Sequence, residues 1–453
     1  MKSHLILATL LMMGMSACNR YSPSWEEDAD GTKQEPLQSV LGIPDIIGTE
    51  IDNAALLRSV TDSYGMVSDE NKDQSVLLQK AIDDMAGQGG GNLLIPAGTY
   101  CFAEVYMKSG VHILVHKDAV LKPYWGEKTK NVIMLHFNAV EEAAGAYVHD
   151  CSISGLSGER YTVDFSGLRP DNDINCSSTT DAQPVRFVMC RLVKNFIIAD
   201  AEVMDNYTKF SALEFTGAKT ENVEGWEVTR PTNGLIRNCR IVNADFGYGL
   251  SQLHGGRNLL FRDVDGVGGV TLRLETHSGN NIGVSDIYAY NVSARDAHAA
   301  VMFSPHLNHN GKVLIENVKT ENTTFGVEIE NGFLLNGEEG ELGTFSSDSK
   351  VHNVTSVYGE TGQIREQTVY LYEPEQYPLL QKVEIGEGSC QYTGPSVAAV
   401  FDASGDCYDI TVTDVKAEGF VYHPDGVFYE ETIDREVGDS WDIIKNIPAF
   451  QKE

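Results

Sequence analysis

The sequence has little positive charge. Its 453 residues include 34 Lys and Arg against 65 Asp and Glu, which gives a formal net charge of −31. An excess of acid on this scale repels polyanions, so it argues against nucleic acid as a partner. It also disfavours a polyanionic substrate, unless the binding cleft is locally basic.

Long hydrophobic runs are scarce as well. The apolar run Leu5–Met15 follows Lys2 and is too short to span a bilayer as a mature helix. It indicates a secretory signal over residues 1–17. Cys18 comes directly after small residues, as in a bacterial lipoprotein signal, while an ordinary secreted protein is the alternative. We therefore expect lipidation at Cys18 and a surface-exposed outer-membrane protein, or else a periplasmic or secreted one.

The remaining boundaries follow from composition. Residues 18–50 are acidic and polar, which predicts a flexible tether between membrane and domain. Residues 51–425 carry the strand patterns described below and form one large domain. Residues 426–453 are expected to pack on that domain or cap it.

The cysteines give no sign of a metal site. No Cys-x-x-Cys pair occurs, so zinc is not predicted, and seven cysteines besides Cys18 leave at least one without an internal disulfide. We expect these seven to lie in the core as small apolar residues. No metal or organic cofactor is predicted, and a structural cation such as Ca²⁺ is possible but has no support in the sequence. The seven are Cys101, Cys151, Cys176, Cys190, Cys239, Cys390 and Cys407.

Amphipathic helices are nearly absent too. Residues 73–87 form one, with an apolar stripe and a terminating Gly87. Short strands between turn residues follow it. The order of this helix, three glycines and a strand at 92–100 resembles the N-terminal cap of pectate-lyase-like proteins.

A short phrase recurs along the chain: an apolar residue, any residue, Asn or Asp, and another apolar residue. Successive copies lie 25, 23, 31 and 36 residues apart from Asn238 to Asn353, and the longer spacings indicate inserted loops. Coils of this length predict an all-β, single-stranded, right-handed parallel β-helix with an N-terminal capping helix. The copies are Ile198–Ala201, Ile236–Cys239, Phe261–Val264, Val284–Ile287, Ile315–Val318, Val351–Val354 and Val412–Val415.

One strand is unusual for its polar face. In Gly268–His277, side-chain alternation sends Val270, Leu272 and Leu274 to one face. The opposite face carries Thr, Arg, Glu and His, which stability alone does not require. We interpret this strand as the floor of a binding cleft.

Three polar residues end strand phrases that lie one coil apart. Gln252 ends Tyr248–Gln252, Glu275 ends Val270–Glu275, and His306 ends a third phrase. Neighbouring coils stack on one another, so these side chains are expected to converge on the outer face of the solenoid.

These segments closely resemble glycoside hydrolase family 82, the iota-carrageenases. The similarity lies in Gly268–Thr276, Ala299–His306 and the run at 310–313, and the separations between the three polar residues match as well. The clear likeness covers about residues 247–335. It implies a parallel β-helix that cleaves β-1,4 linkages of a sulfated galactan by an endo-acting, inverting mechanism.

The resemblance assigns roles to the converging residues. Glu275 corresponds to the general acid, Gln252 to a residue that places water or an ion, and His306 to an active-site histidine. A carboxyl beside apolar strands can keep its proton near neutral pH, so we expect a raised pKa for Glu275.

His277 departs from the family pattern, which has Asp as the base at this point. Residues two apart on a strand are separated by about 6.5–7 Å, within the range of inverting pairs. His277 is therefore a candidate base. Alternatively, Asp245, Glu328 or Glu330 activates water, or the activity is weakened or lost.

Further residues are candidates for binding substrate. Arg guanidinium groups suit sulfate oxygens, although these side chains can equally be solvated surface residues, and Glu275 can simply pair with Arg273. The candidates are Arg273, His254, Arg257, Lys312, Glu328 and Glu330.

Two rival functions remain open. A polysaccharide lyase shares this fold, but it needs acidic Ca²⁺ ligands and a basic Lys or Arg, and we find no convincing cluster. A surface glycan-binding lipoprotein with a degenerate site is motivated by His277. In each case the partner is a polysaccharide and the protein is expected to be a monomer.

Overall fold

The computed structural model describes residues 36–127, 129–139, 147–171, 182–223, 226–276, 282–334, 339–386, 389–433 and 440–447. Within these ranges no helix is both long and apolar enough to cross a membrane. Residues 1–17 and Cys18 lie outside them, as do Cys176 and His277.

The described chain winds into a right-handed parallel β-helix, as predicted. Successive coils pair strand on strand in parallel; for example, Leu235 pairs with Leu260, and Leu260 pairs with Tyr288. The strands of this solenoid are Leu57–Ser59, Asp69–Asp73, Gly91–Ile95, Gly98–Phe102, Val105–Tyr106, Val111–Val115, Ala119–Pro123, Val132–Phe137, Val148–Gly155, Tyr161–Asp164, Val185–Cys190, Val193–Ala199, Ala201–Met204, Leu213–Phe215, Thr232–Arg237, Arg240–Leu253, Gly255–Glu275, Gly283–Ser304, Val313–Ile329, Lys350–Val357, Ala398–Asp402, Thr411–Glu418 and Val427–Tyr429.

The predicted N-terminal helix is confirmed as Ser75–Gly87. Its apolar stripe is buried, and the Asp73 carboxylate accepts the backbone N–H of Ser75 at 3.0 Å. The stripe packs in the same core as the first strands and so covers the open end of the solenoid. The other helices are Val60–Tyr64, Ser440–Ile444 and the 3₁₀ segments Leu156–Gly158, Glu366–Leu371, Pro374–Leu379 and Glu430–Thr432.

The interior is a continuous apolar column. Phenylalanines of successive coils touch inside it: the ring centroids of Phe196 and Phe215 are 6.4 Å apart, and those of Phe215 and Phe261 are 5.5 Å apart. Leu272 and Leu274 point into this core as predicted, whereas Val270 packs in a separate cluster outside it. The predicted strand alternation is thus correct for two of its three apolar residues.

The Asn/Asp phrase forms side-chain ladders at one corner. The Nδ2 of Asn291 donates to Asp263 Oδ1 at 2.6 Å, Asn317 donates to Asn291, and Asn353 donates to Asn317. Each has a positive φ between 56° and 64°, a conformation that Asn and Asp tolerate better than other side chains. Three copies of the phrase thus stack at this corner, while on the coil between them the position is taken by Asn291 and not by Asp286 of the copy Val284–Ile287.

The predicted tether is too long at its C-terminal end, because residues 37–49 pack along one face of the solenoid. Ile43 and Ile46 are buried against a ladder of apolar residues from five successive coils. The hydroxyl of Ser39 donates to Glu316 Oε2 at 2.6 Å, which fixes one end. We call residues 37–49 the strap. The apolar ladder is Ile197, Leu235, Leu260, Tyr288 and Leu314.

An insertion at residues 358–397 covers another face of the solenoid. It contains the antiparallel strands Gly362–Ile364, Gln381–Gly386 and Ser389–Gly394, while Ala218–Val223 and Trp226–Thr229 form a separate hairpin. Ile364 and Tyr372 of the insertion pack with Val270 and Met302, and Ile444 near the C-terminus joins the same cluster. The insertion therefore forms a wall beside the strand that ends at Glu275.

The described cysteines follow the core prediction with one exception. Cys101, Cys151, Cys190 and Cys239 are buried free thiols. Cys390 is also buried in an apolar cluster, although it is disulfide-bonded, and Cys407 is only partly buried.

Candidate active site

The outward side chains of neighbouring coils line up in one ladder on the face that carries Glu275. Gln252 pairs in register with Arg273, Arg273 with Met302, and Met302 with Glu328. Glu275 is two residues beyond Arg273 on the same strand and pairs with Ser304 on the next coil. The solenoid thus presents polar groups about 4.8 Å apart along this face.

The three predicted site residues do converge. The Gln252 amide donates to Glu275 Oε2 at 2.7 Å, and the Nε2 of His306 lies 3.1 Å from Glu275 Oε1. Arg273 completes the group, with its guanidinium 2.8 Å from Glu275 Oε2. Both carboxylate oxygens therefore have hydrogen-bond donors.

The expected raised pKa of Glu275 is wrong for this structure. Burial favours the protonated form, but Arg273, the hydrogen bond from His306 and the nearby His254 together lower the pKa of Glu275 well below its usual value. The acid is therefore a carboxylate at neutral pH in the free chain. Its apolar surroundings alone suggested the opposite, because the sequence did not show how closely Arg273 lies.

Arg273 is more deeply buried than a surface sulfate ligand would be. It is 7% exposed, and its guanidinium carbon lies 5.8 Å from the centre of the Tyr248 ring. Nearby, burial lowers the pKa of His254, which favours the neutral imidazole. His254 thus stays a candidate for substrate contact, whereas Arg273 is already engaged with Glu275.

Within the strand Gly255–Glu275, a turn at Gly268–Gly269, with φ of +83° and +66°, precedes the segment that carries Glu275. A Cβ on Gly269 would lie 2.4 Å from the carbonyl oxygen of Tyr248 and 2.7 Å from that of Asp245. The Gly269 N–H also donates to the Gln363 side chain at 2.6 Å, which ties the insertion to this turn. Only glycine fits here.

Gly269→Ala is accordingly expected to lower the free energy of unfolding by about 3 kcal/mol or more, since a left-handed Ala and a backbone clash add up. Gly89→Ala is the matched control, because Gly89 has φ +94° but open space around its Cβ direction. Gly89→Ala should lower the free energy of unfolding by only about 1–2 kcal/mol, as measured by chemical denaturation. Equal losses in the two variants would contradict the close packing at Gly269.

A buried ionic network lies beside Glu275, and it was not predicted from the sequence. The Nε2 of His298 lies 3.0 Å from Glu328 Oε2, and its Nδ1 lies 3.1 Å from the carbonyl oxygen of Gln363. Arg365 of the insertion pairs with Glu330 at 3.0 Å. No sequence pattern marks Arg365, because it reaches the site from about 35 residues beyond Glu330.

The network changes the interpretation of the two glutamates as substrate ligands. Glu328 is 1% exposed, so direct contact with substrate is wrong for this residue. Burial raises its pKa, but His298 more than offsets this and holds it below the usual value. Glu330 is partly exposed, and burial raises its pKa.

The other predicted residues lie further along the fold. Arg257 pairs in register with Thr232 and Ser285, on a strand segment beyond the corner at His254. Lys312 forms an ion pair with Asp286 at 3.4 Å. Neither contacts Glu275 in the described structure, so neither belongs to the group of side chains around the acid.

The segment that follows the strand Val313–Ile329 lies next to the site. The N–H of Gly343 donates to the His306 carbonyl at 2.7 Å, and the ring centroids of His306 and Phe333 are 4.0 Å apart. This segment therefore helps to hold the imidazole towards Glu275.

Known proteins resemble this chain in sequence and in fold. The chain is 33% identical over 299 residues to an iota-carrageenase of Alteromonas macleodii, an alignment that covers 65% of this chain and 55% of that protein. An iota-carrageenase of Zobellia galactanivorans is 33% identical over 283 residues, covering 61% and 52%. The chain matches about half the length of these curated relatives.

The iota-carrageenase of glycoside hydrolase family 82 from A. fortis superposes with a TM-score of 0.74 and 25% identity, over 90% of this chain and 96% of that one. The chain is a homologue of the iota-carrageenases. An iota-carrageenase complexed to iota-carrageenan fragments superposes with a TM-score of 0.73 and 26% identity, over 90% and 97%. No family model matches the chain.

Two features of the iota-carrageenase comparison bear on chemistry. His277, the candidate base, lies outside the described residues. Among the described residues, no group of three or more His, Cys, Asp or Glu side chains is arranged to hold a metal ion. What the site visibly offers is acid–base chemistry from Glu275 and its neighbours.

Proposed function

We propose that this chain is an endo-acting glycoside hydrolase that cleaves β-1,4 linkages of iota-carrageenan or a related sulfated galactan with inversion. The observation that carries the proposal is the convergence of Gln252, Arg273 and His306 on the carboxylate of Glu275. Homology to iota-carrageenases supports the substrate class.

Glu275 is the proposed general acid, so it must gain a proton before it acts. Sulfate esters near Arg273 and His254 would offset the positive charge that keeps Glu275 ionised. Substrate binding would then raise the pKa of Glu275 and favour its protonated form. Exclusion of water by the bound chain acts in the same direction.

His277 is the proposed base, since it takes the place of the family Asp and the described alternatives are engaged elsewhere. Asp245 is 4% exposed and accepts the Gly247 N–H at 2.8 Å. Glu328 is buried against His298, and Glu330 pairs with Arg365. Of these three carboxylates, only Glu330 is exposed enough to be a second candidate.

For a histidine base, the acid side of the pH–rate profile reports loss of the neutral imidazole near about pH 6.5. His277→Asp should keep activity and move that limb down by about 2.5 pH units. His277→Ala should lose about 10²-fold or more, with partial recovery in azide. Unchanged cleavage by His277→Ala would transfer the role to Glu330, for which Glu330→Gln is the matched variant.

The function itself is tested by product analysis on iota-, kappa- and lambda-carrageenan, agarose and a desulfated galactan. We expect even-numbered oligosaccharides with new reducing ends from the sulfated galactan, and inversion by NMR of the first products. Unsaturated products absorbing near 235 nm would identify a lyase instead. Binding without products from any galactan would favour the glycan-binding lipoprotein, a reading that the ionised Glu275 also suits.

We also propose that the chain is a lipoprotein of the outer membrane, anchored through Cys18 and facing the medium. Labelled palmitate should enter the parent protein but not Cys18→Ala. Protease added to whole cells should then release the domain.

A further inference from the structure

Two aromatic residues occupy equivalent places on neighbouring coils beside the site. Leu213 pairs in register with Ser251, and Phe210 and Tyr248 each lie three residues before one of them. Phe210 has φ +84°, a conformation that is strained for a bulky side chain. Such strain persists only where the surroundings hold it in place, and it is concentrated at functional sites.

The two rings link a pair of arginines. The Arg186 guanidinium lies 3.6 Å from the Phe210 ring centre, and the Phe210 and Tyr248 rings meet edge to face at 5.7 Å. The Arg273 guanidinium lies 5.8 Å from the Tyr248 ring centre. Arg186 is itself held by a buried ion pair with Glu214, one coil before Gln252.

Arg273 has few other restraints. Its guanidinium pairs with Glu275, but its buried Nε has no hydrogen-bond partner among the described residues. The backbone of Tyr248 passes close to Gly269, since a Cβ at Gly269 would lie 2.4 Å from the Tyr248 carbonyl oxygen. The Tyr248 ring therefore packs beside the Arg273 guanidinium and supports it from one side.

We propose that Phe210 and Tyr248 are positioning residues that hold the Arg273 guanidinium against the carboxylate of Glu275. This inference rests on the proposed role of Glu275 as the acid. Neither ring needs to touch substrate. Their effect is transmitted through Arg273 and sets how readily the acid accepts and releases its proton.

Other charged groups face Glu275 and stay in place when Tyr248 changes. They come from several elements: His254 from the preceding corner, His306 from the next coil and Arg365 from the insertion. Glu214 faces His254 from the previous coil. A shift caused by Tyr248 is therefore attributable to Arg273, provided that these partners are unchanged.

The test compares Tyr248→Leu, Tyr248→Phe and Phe210→Leu. Leu removes the ring beside Arg273, so the pKa of Glu275 should rise by about half a unit, and the alkaline limb of the kcat profile should move up equally. Tyr248→Phe keeps the ring and should restore the parent profile. Phe210→Leu should raise the pKa of Glu275 by a smaller amount. The KM of all three variants should stay within about twofold of the parent value.

The matched control is Tyr358→Leu, because Tyr358 meets Phe420 at 5.7 Å and 79°, away from Glu275. It should leave the profile unchanged. The carboxyl of Glu275, assigned by NMR against Glu275→Gln, gives the pKa without any cleavage, so failure of the proposed activity does not hide the result. An unchanged pKa, or a raised KM with an unchanged profile, would overturn the positioning role.

Discussion

Glu275→Gln is expected to lower the rate of galactan cleavage by about 10³-fold while the protein stays folded and binds the polymer. Loss of a general acid removes a contribution of about 10²–10⁴ to the rate. The amide keeps the size of the side chain, so its oxygen can still accept from Gln252 or Arg273. Reducing-end assays under single-turnover conditions measure the chemical step directly.

Glu159→Gln is the matched control, since Glu159 is a half-exposed glutamate that pairs with Lys117 on the N-terminal coils. It should cleave at the parent rate. Unaltered cleavage by Glu275→Gln would remove the acid assignment, and loss of polymer binding together with cleavage would show that Glu275 serves binding.

His298→Leu is expected to lower the free energy of unfolding by about 3–5 kcal/mol. His298 is fully buried and pairs with Glu328, which is 2% exposed at its side chain. Removing one partner leaves an uncompensated carboxylate in the interior. Chemical denaturation at pH 7 measures the loss.

The loss should depend on pH in a defined direction. The pKa of Glu328 is depressed in the folded parent, so its contribution is present above the unfolded pKa and disappears as pH falls through the folded one. In His298→Leu the carboxyl protonates more easily, so the destabilisation should shrink towards about pH 4. His298→Leu/Glu328→Leu should recover most of the stability, and a double variant as unstable as the single one would contradict the ionic pairing.

Much of the architecture follows from local sequence. The Asn/Asp phrase indicates the coils because their corners require left-handed residues, and at one corner the side chains of Asp263, Asn291 and Asn317 stack. The helix at Ser75–Gly87 is evident from its apolar stripe and its terminating glycine. Gln252, Glu275 and His306 come together because each lies within two residues of the end of a strand on neighbouring coils, although register pairs Gln252 with Arg273 and Glu275 with Ser304.

What the sequence could not show depends on contacts between distant segments. Arg365 reaches Glu330 because the insertion folds back over the solenoid, and no periodic pattern marks that path. The ionised state of Glu275 depends on a 2.8 Å contact with Arg273, which strand alternation places nearby but does not fix. The prediction of a tether extends to residue 50 because it carries the acidic, polar composition of residues 19–36 forward, although apolar residues such as Leu41, Ile43 and Ile46 follow closely on one another in the strap.

The strap has a consequence for how the molecule comes apart. In a solenoid each coil touches only its neighbours, so coils can melt one after another from an exposed end. The strap contacts five coils at once, from Ile197 to Leu314, and links them to one another. Unfolding of one coil in that span weakens the packing of the strap on the other coils. We therefore expect the coils that carry Gln252, Glu275 and His306 to unfold together.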